Sequence, residues 1–269
     1  MSSAAAAQAR LQWWREVVYI AAFYGVYTLV RNYGVATDSA RDAFANAVDV
    51  IHLERLLGSF HEQAIQRRFL DARWFIAFWN VFYGTAHFAV TAGALIWLFR
   101  RQPARYPLWR NTLAAATAFA LAGFAFFPLM PPRLLPASYG FVDTLAEIGG
   151  LWSFDSGTMQ QISNQYAAMP SLHFAWAGWC VCVLWPGMGR PPARLAVAAY
   201  PLATLFAIVV TANHFWFDAA GGAAVLLVGF VVALAVTREP PPPGPGPADL
   251  ADEWPPRHDL RHPQAGAAP

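Results

Sequence analysis

The sequence predicts an all-α fold, a polytopic membrane helix bundle with about six transmembrane helices. Two observations carry that expectation. Of the 269 residues, 57% are hydrophobic and only 13% are charged, whereas a soluble domain carries about 25% charged residues. The apolar residues also gather into six long runs, and a helix crosses the hydrocarbon core of a bilayer with about 20 of them. These runs exclude a soluble signalling domain. The net charge of +2 and the lack of a basic stripe interleaved with aromatic residues give no footprint for nucleic acid.

Residues 1–12 are Ala-rich and are expected to fray. The first apolar run, Val17–Val30, is short and needs its flanks to span. No convincing small-residue cleavage site follows it, so it reads as a retained helix rather than a signal peptide. Residues 34–73 place Phe44, Val48, Ile51, Leu56 and Ile65 at helical spacing among charges. Such a segment is too charged to cross lipid, and one or two amphipathic helices are expected there, at the interface or capping the bundle. Two further runs follow, Phe75–Phe99 and Leu113–Leu129. The connection 130–169 is rich in Pro, Gly, Ser and aromatic residues, and connections of that length are usually functional or disordered. Leu172–Trp185 (also short), Leu195–Ala212 and Ala219–Val236 complete the six. From about Glu239 the chain is Pro-rich, lacks a core pattern and is expected to be disordered. Cys180 and Cys182 are two apart on a helix and point to different sides, which argues against a disulfide between them.

Every basic residue is Arg. With both termini on the cytoplasmic side, the inner segments hold Arg10, Arg15, Arg100, Arg101, Arg105, Arg110, Arg190, Arg194 and Arg238, and the 130–169 connection holds only Arg133. The positive-inside rule favours that orientation in a plasma membrane, although six arginines in 31–73 point the other way.

Given six spans, three segments fall at one membrane face: "FFPLMPPRLLP", "AMPSLHFAWA" and "TANHFWFDAAGG". His214 and Asp218 are four apart and share a helix face. A carboxylate there can hold one imidazole nitrogen and leave the other nitrogen's lone pair free to attack. The alternative is a structural polar pair. Pro170 suits the first turn of a helix, so the N–H groups of Ser171 and Leu172 are expected to face outward, where a helix start favours an anion. His173 lies in that turn. The alternative is a capped helix with an interfacial histidine. Arg133 follows two prolines, and a guanidinium can hold two phosphate oxygens or simply meet lipid headgroups.

Together "PPR", "PSLHFAWA" and "NHFWFD" resemble the membrane-bound type 2 phosphatidic acid phosphatase (PAP2) superfamily, whose core is haloperoxidase-like. With "NAVDVIHLERLLGSFHE", "FWNVFYGTAHF" and "RNTLA", the chain looks most like the inositolphosphotransferase branch, which includes inositol phosphorylceramide synthase. The likeness runs from about Trp14 to Val236. The three motifs are specific as a set, although "PSxH" and "HxxxD" alone are not. The resemblance implies that His214 attacks phosphorus to form a phosphohistidine and that Asp218 orients it. It implies that His173 protonates the leaving group and then activates the acceptor, with Ser171 and Arg133 stabilising phosphoryl charge. It implies no cofactor and no metal, and a lipid phosphate or phospholipid as substrate.

The sequence also departs from the broad family pattern. A Lys is usual seven residues before Arg133, where Phe126 stands, and Leu134 rather than Pro follows the Arg. An Arg is usual six residues before the third-motif His, where Ile208 stands. Two cations are thus missing, as in the inositolphosphotransferase branch, and fewer cations favour a phosphodiester over a dianionic monoester. A non-catalytic lipid-binding or transport module is the competing class. Among the remaining polar residues, His87 is a candidate for the substrate pocket or a polar network, with an interhelical hydrogen bond as the alternative. Asn164 and Tyr166 could contact a headgroup or serve the loop. Asn213 is expected to cap the last helix, and Asp143 is exposed-loop material that could touch the acceptor.

Overall fold

The computed structural model describes residues 12–33, 39–149 and 165–237. The expected frayed start as far as Leu11, the Pro-rich tail from Glu239, and Asn164 lie outside the described residues. Nine α-helices appear among those described: α1 Trp13–Tyr33, α2 Ser39–Leu56, α3 Glu62–Phe69, α4 Arg73–Arg101, α5 Tyr106–Phe126, α6 Thr144–Glu147, α7 Leu172–Leu184, α8 Pro191–Val210 and α9 Trp216–Val236. No strand occurs among the described residues beyond an isolated bridge between Leu129 and Ala167.

Each of the six apolar runs lies on a helix, and the amphipathic segment forms α2 and α3 as expected. The count of about six transmembrane helices is not reproduced. Three helices, α4, α8 and α9, are long and apolar enough to cross a membrane by length and composition. The reason is plain for α7, whose 13 residues rise only about 20 Å at 1.5 Å per residue. Helix α1 carries Arg15, Glu16 and Arg31, and α5 carries Arg110. The third run was also expected to continue to Leu129, but α5 ends at Phe126, because Pro128 disfavours helical geometry at Phe127 and cannot donate into the ladder.

Helix α7 is the hub and packs against α4, α5, α8 and α9. It is apolar on every side, with Trp179 and Val183 fully buried. The Trp179 indole donates to the Trp109 carbonyl at 2.8 Å, which satisfies its one polar atom. Helix α9 lies along α5, close enough that a Cβ on Gly229 would sit 2.6 Å from the Ala116 nitrogen. Away from these contacts Leu202, Leu227 and Val231 stay exposed, as lipid-facing side chains do. At the cytoplasmic end proposed from the arginine pattern, Arg110 holds both Glu16 oxygens at 2.6 and 2.8 Å and ties α5 to α1. Cys180 is buried and Cys182 exposed, and both are free.

The described part of the long connection is ordered, and amide side chains order it. Gln66 on α3 donates to the Val142 carbonyl at 2.8 Å and accepts the Val142 N–H at 3.0 Å. Gln63 donates to the Tyr139 carbonyl. Asn80 on α4 donates to the carbonyls of Thr144 and Gly149 and accepts from the Thr144 hydroxyl. Buried backbone groups need such partners, and these bonds fix the segment without regular structure. Beneath it Ile51, Leu129, Leu135, Phe141 and Phe215 form an apolar cluster that joins α2 to the start of α9.

Candidate active site

The site forms where α7 and α9 begin. Chain reversal after α8 is tight: Ala212 takes a positive φ of 54°, a left-handed conformation that costs a non-glycine residue roughly 1–2 kcal/mol. The reversal lets the Ile208 carbonyl accept the N–H groups of both Asn213 and His214, at 2.9 and 3.1 Å. His214 is thereby set facing the first turn of α9.

Asp218 is fully buried in that turn. One of its oxygens, Oδ2, accepts the Phe215 N–H at 3.0 Å and pairs with His214 Nδ1 at 3.1 Å. A carboxylate oxygen accepts, so Nδ1 carries the hydrogen and Nε2 keeps its lone pair. Nε2 is buried and has no hydrogen-bond partner among the described residues.

The His173 ring lies 5.5 Å from that of His214, centre to centre, at 62°. The imidazoles are thus in edge-to-face packing, and a phosphoryl group does not fit between them as they stand. Tyr83, which sequence reasoning missed, stacks on His173 at 4.2 Å and 20°. His87 packs its ring 4.2 Å from His173. Its Nδ1 bonds the Tyr83 carbonyl one turn earlier, at 3.0 Å. This is an intrahelical bond rather than the interhelical one considered above, and it leaves Nε2 of His87 as the acceptor nitrogen. A small cleft of about 10 Å³ borders the cluster, lined by Tyr83, His87, His173, Thr204 and Ile208 among others.

Several expectations are corrected. Pro170 is not in the first turn of α7; it precedes the N-cap residue Ser171 in a cis peptide with Met169. The Ser171 N–H does not face outward but donates to the Asp218 carbonyl at 2.9 Å. Ser171 itself is fully buried, and its hydroxyl oxygen accepts the Phe174 N–H at 3.4 Å. Helix packing consumes that donor because α9 comes so near: a Cβ on Gly222 would lie 2.4 Å from the Ser171 carbonyl oxygen. Asn213 does not cap α9, whose N-cap is Phe215. It stands two residues too early, and its amide is already used, donating to the Thr211 hydroxyl at 2.8 Å and accepting from Arg133 Nε at 3.0 Å.

Arg133 reaches this turn as expected, though not as a free cation. Besides Asn213 it holds Asp143 Oδ2 through Nη1 at 2.8 Å, and its own N–H donates to the Ala212 carbonyl. Asp143 is therefore an arginine partner and the N-cap of α6, accepting from Leu145 and Ala146. The Tyr166 carbonyl accepts the Leu129 N–H at 2.8 Å, a bond that holds the loop together.

Two further acids were missed. Glu54 on α2 and Glu62 on α3 are fully buried and accept the N–H groups of Phe217 and Trp216. Burial, reinforced by the neighbouring Glu62, pushes the Glu54 carboxyl up to about 9. The only sequence sign of them was two acids inside an otherwise amphipathic pattern. Among the described residues no group of three or more His, Cys, Asp or Glu side chains is arranged to hold a metal ion.

A family model described as the PAP2 superfamily matches residues 48–232. That span contains α3 to α8 whole and α9 as far as residue 232, with Glu54, Arg133, His173, His214 and Asp218. No curated protein and no solved structure matches the chain.

Proposed function

The chain belongs to the PAP2 superfamily, and we propose that it is a membrane-embedded enzyme that transfers the phosphoryl group of a lipid phosphate or phospholipid headgroup through a phosphohistidine. Superfamily membership points to phosphatase-type phosphoryl transfer. The observation that carries the finer reading is the state of His214: Nδ1 is held by Asp218 at 3.1 Å, while Nε2 is buried and unpartnered among the described residues. A neutral imidazole with one nitrogen fixed and the other bare is a nucleophile prepared for use.

In the first step His214 Nε2 forms a bond to phosphorus and the bond to the leaving oxygen breaks. His173, which takes up a proton together with the anionic substrate, gives that proton to the leaving oxygen. In the second step water or an alcohol attacks the phosphohistidine, His173 takes the attacking hydroxyl's proton, and the N–P bond breaks. Asp218 balances the positive charge that His214 acquires while phosphorylated. The two bonds made by Arg133 leave other guanidinium donors for a phosphoryl oxygen. The phosphoryl group enters from the side of the histidine pair, because the rings pack against each other. Ser171 acts through the helix start it caps. His87 backs His173 with an acceptor nitrogen.

Likeness to the inositolphosphotransferase branch favours an alcohol acceptor of inositol or sphingoid type over water. The protein is assigned to the plasma membrane with both termini inside and the site at the outer face. The test is incubation of the purified protein with labelled phospholipid. Free phosphate marks hydrolysis, and a new labelled lipid marks transfer. His214→Ala should abolish both, along with acid-labile phosphate on the protein. Unchanged turnover in a folded His214→Ala protein refutes the mechanism, whereas absence of any turnover in the wild type leaves a lipid-binding or transport role.

A further inference from the structure

Helix α9 starts without a side chain able to cap it, since its N-cap residue is Phe215. Three successive N–H groups at that end are nevertheless satisfied, each by a fully buried carboxyl group. Asp218 takes that of Phe215, Glu62 that of Trp216 at 3.2 Å, and Glu54 that of Phe217 at 2.9 Å. The two glutamates come from 154 and 163 residues away in the chain. Each uses one oxygen for α9. The second oxygen of each, Oε2, is buried with no donor among the described residues, and the two carboxyl groups lie within hydrogen-bonding reach of each other. No arginine or histidine forms an ion pair with either among the described residues.

Two buried carboxylates in contact, with no cation, repel strongly and leave two acceptors unsatisfied. One proton removes both problems, because an O–H on one Oε2 then donates to the other. We propose that Glu54 and Glu62 are a positioning pair: they share one proton and together clamp the first turn of α9, and so hold Asp218 and His214 in register. The catalytic consequence rests on the phosphoryl-transfer reading, whereas the shared proton does not. The pair also assigns a role to α2 and α3, which bring these two acids to the site.

The groups facing Glu54 set how the pair titrates. Glu62 approaches from α3 and Asp218 from α9, both acidic, and among the described residues the Phe217 N–H is the one donor to its side chain. Glu54 has a folded pKa near 9, against an ordinary value of 4.5. Because the folded value is raised, its contribution to stability is complete below pH 4.5, is lost progressively as the pH rises from there, and is gone above about 9. Glu54→Gln copies the protonated acid. Its amide oxygen accepts from Phe217 and its NH2 donates to the Glu62 carboxylate, with no proton to lose.

Two measurements on the full chain in detergent test this. The wild-type Tm should decline progressively as the pH rises from 4.5 towards about 9, and the Glu54→Gln protein should lack that part of the decline. Phospholipid turnover should drop roughly tenfold or more in kcat for Glu54→Ala with KM nearly unchanged, and Glu54→Gln should restore most of the loss. Failure of Glu54→Ala to fold also supports the clamp, and the melting comparison then decides the shared proton. A decline in Tm between pH 4.5 and about 9 that is as steep in Glu54→Gln as in the wild type overturns the proposal. So does a Glu54→Gln protein as impaired as Glu54→Ala. If the wild-type protein transfers no phosphoryl group, the functional reading fails while the melting comparison still tests the pair.

Discussion

Gly222→Ala tests whether the two halves of the site are held in register by backbone contact. The new Cβ would stand 2.4 Å from the Ser171 carbonyl oxygen and 3.3 Å from the Ala175 nitrogen. Both are main-chain atoms of α7 and its cap, so no side chain can swing aside. Relief requires α7 and α9 to separate by about 1 Å, the difference between 2.4 Å and an ordinary contact of 3.4 Å. His173 rides on α7, and Asp218 with its partner His214 is fixed to α9, so the separation falls on the distance between the two histidines. A displacement of about 1 Å costs on the order of 100-fold in rate, and overpacking costs about 1–3 kcal/mol of stability. Gly229→Ala is the control. Its Cβ would meet the Ala116 nitrogen at 2.6 Å, a comparable clash between α9 and α5. It lies 11 residues beyond Asp218, roughly 16 Å further along the helix. The assay is phospholipid turnover per folded protein, alongside Tm. Both variants should melt earlier, and Gly222→Ala alone should lose kcat by far more than its stability loss explains. Wild-type kcat in Gly222→Ala, or an equal loss in Gly229→Ala, refutes the reasoning.

Two further outcomes follow from the loop contacts. Asn80→Ala strips partners from the Thr144 carbonyl, the Thr144 hydroxyl and the Gly149 carbonyl. It should lower stability by about 2–4 kcal/mol, read as a lower Tm, while α7 and α9 keep their contact. Arg133→Lys removes a guanidinium that reaches Asp143 and Asn213 at once through separate nitrogens. An ammonium cannot copy that fork, so KM for phospholipid should rise roughly tenfold in steady-state kinetics; an unchanged KM would take Arg133 out of substrate binding.

Periodicity and spacing made much of this legible. Hydrophobic runs located the long helices because lipid imposes length and composition directly. The four-residue step from His214 to Asp218 located their contact, although His214 precedes α9 and the tight turn held by the Ile208 carbonyl, rather than a shared helix face, brings it to Asp218. Contacts made by side chains to distant backbone left no such trace. Gln66 meets Val142 across 76 positions, and Glu54 meets Phe217 across 163. Neither follows from any local period. The errors at Ser171 and Asn213 share one cause. Each was assigned from its place beside a helix start, where a polar group should be available. Close approach of a second element then used that group first: the Asp218 carbonyl took the Ser171 N–H, and Arg133 and Thr211 took the Asn213 amide.

The two missing family cations take on a physical meaning once their positions are seen. Phe126 ends α5 with its side chain 88% exposed, so a basic residue there would meet surroundings outside the histidine cluster. Ile208 is fully buried. Its carbonyl holds the His214 turn, and its side chain walls the cleft beside His87 and His173. An arginine at that point would be a buried charge without a carboxylate partner, a cost of several kcal/mol. The apolar wall is therefore part of how the turn is packed rather than a cation simply lost. Arg133 remains, and Asp143 already offsets part of its charge. A site with so little positive charge favours a phosphodiester, which carries one negative charge, over a monoester that carries nearly two.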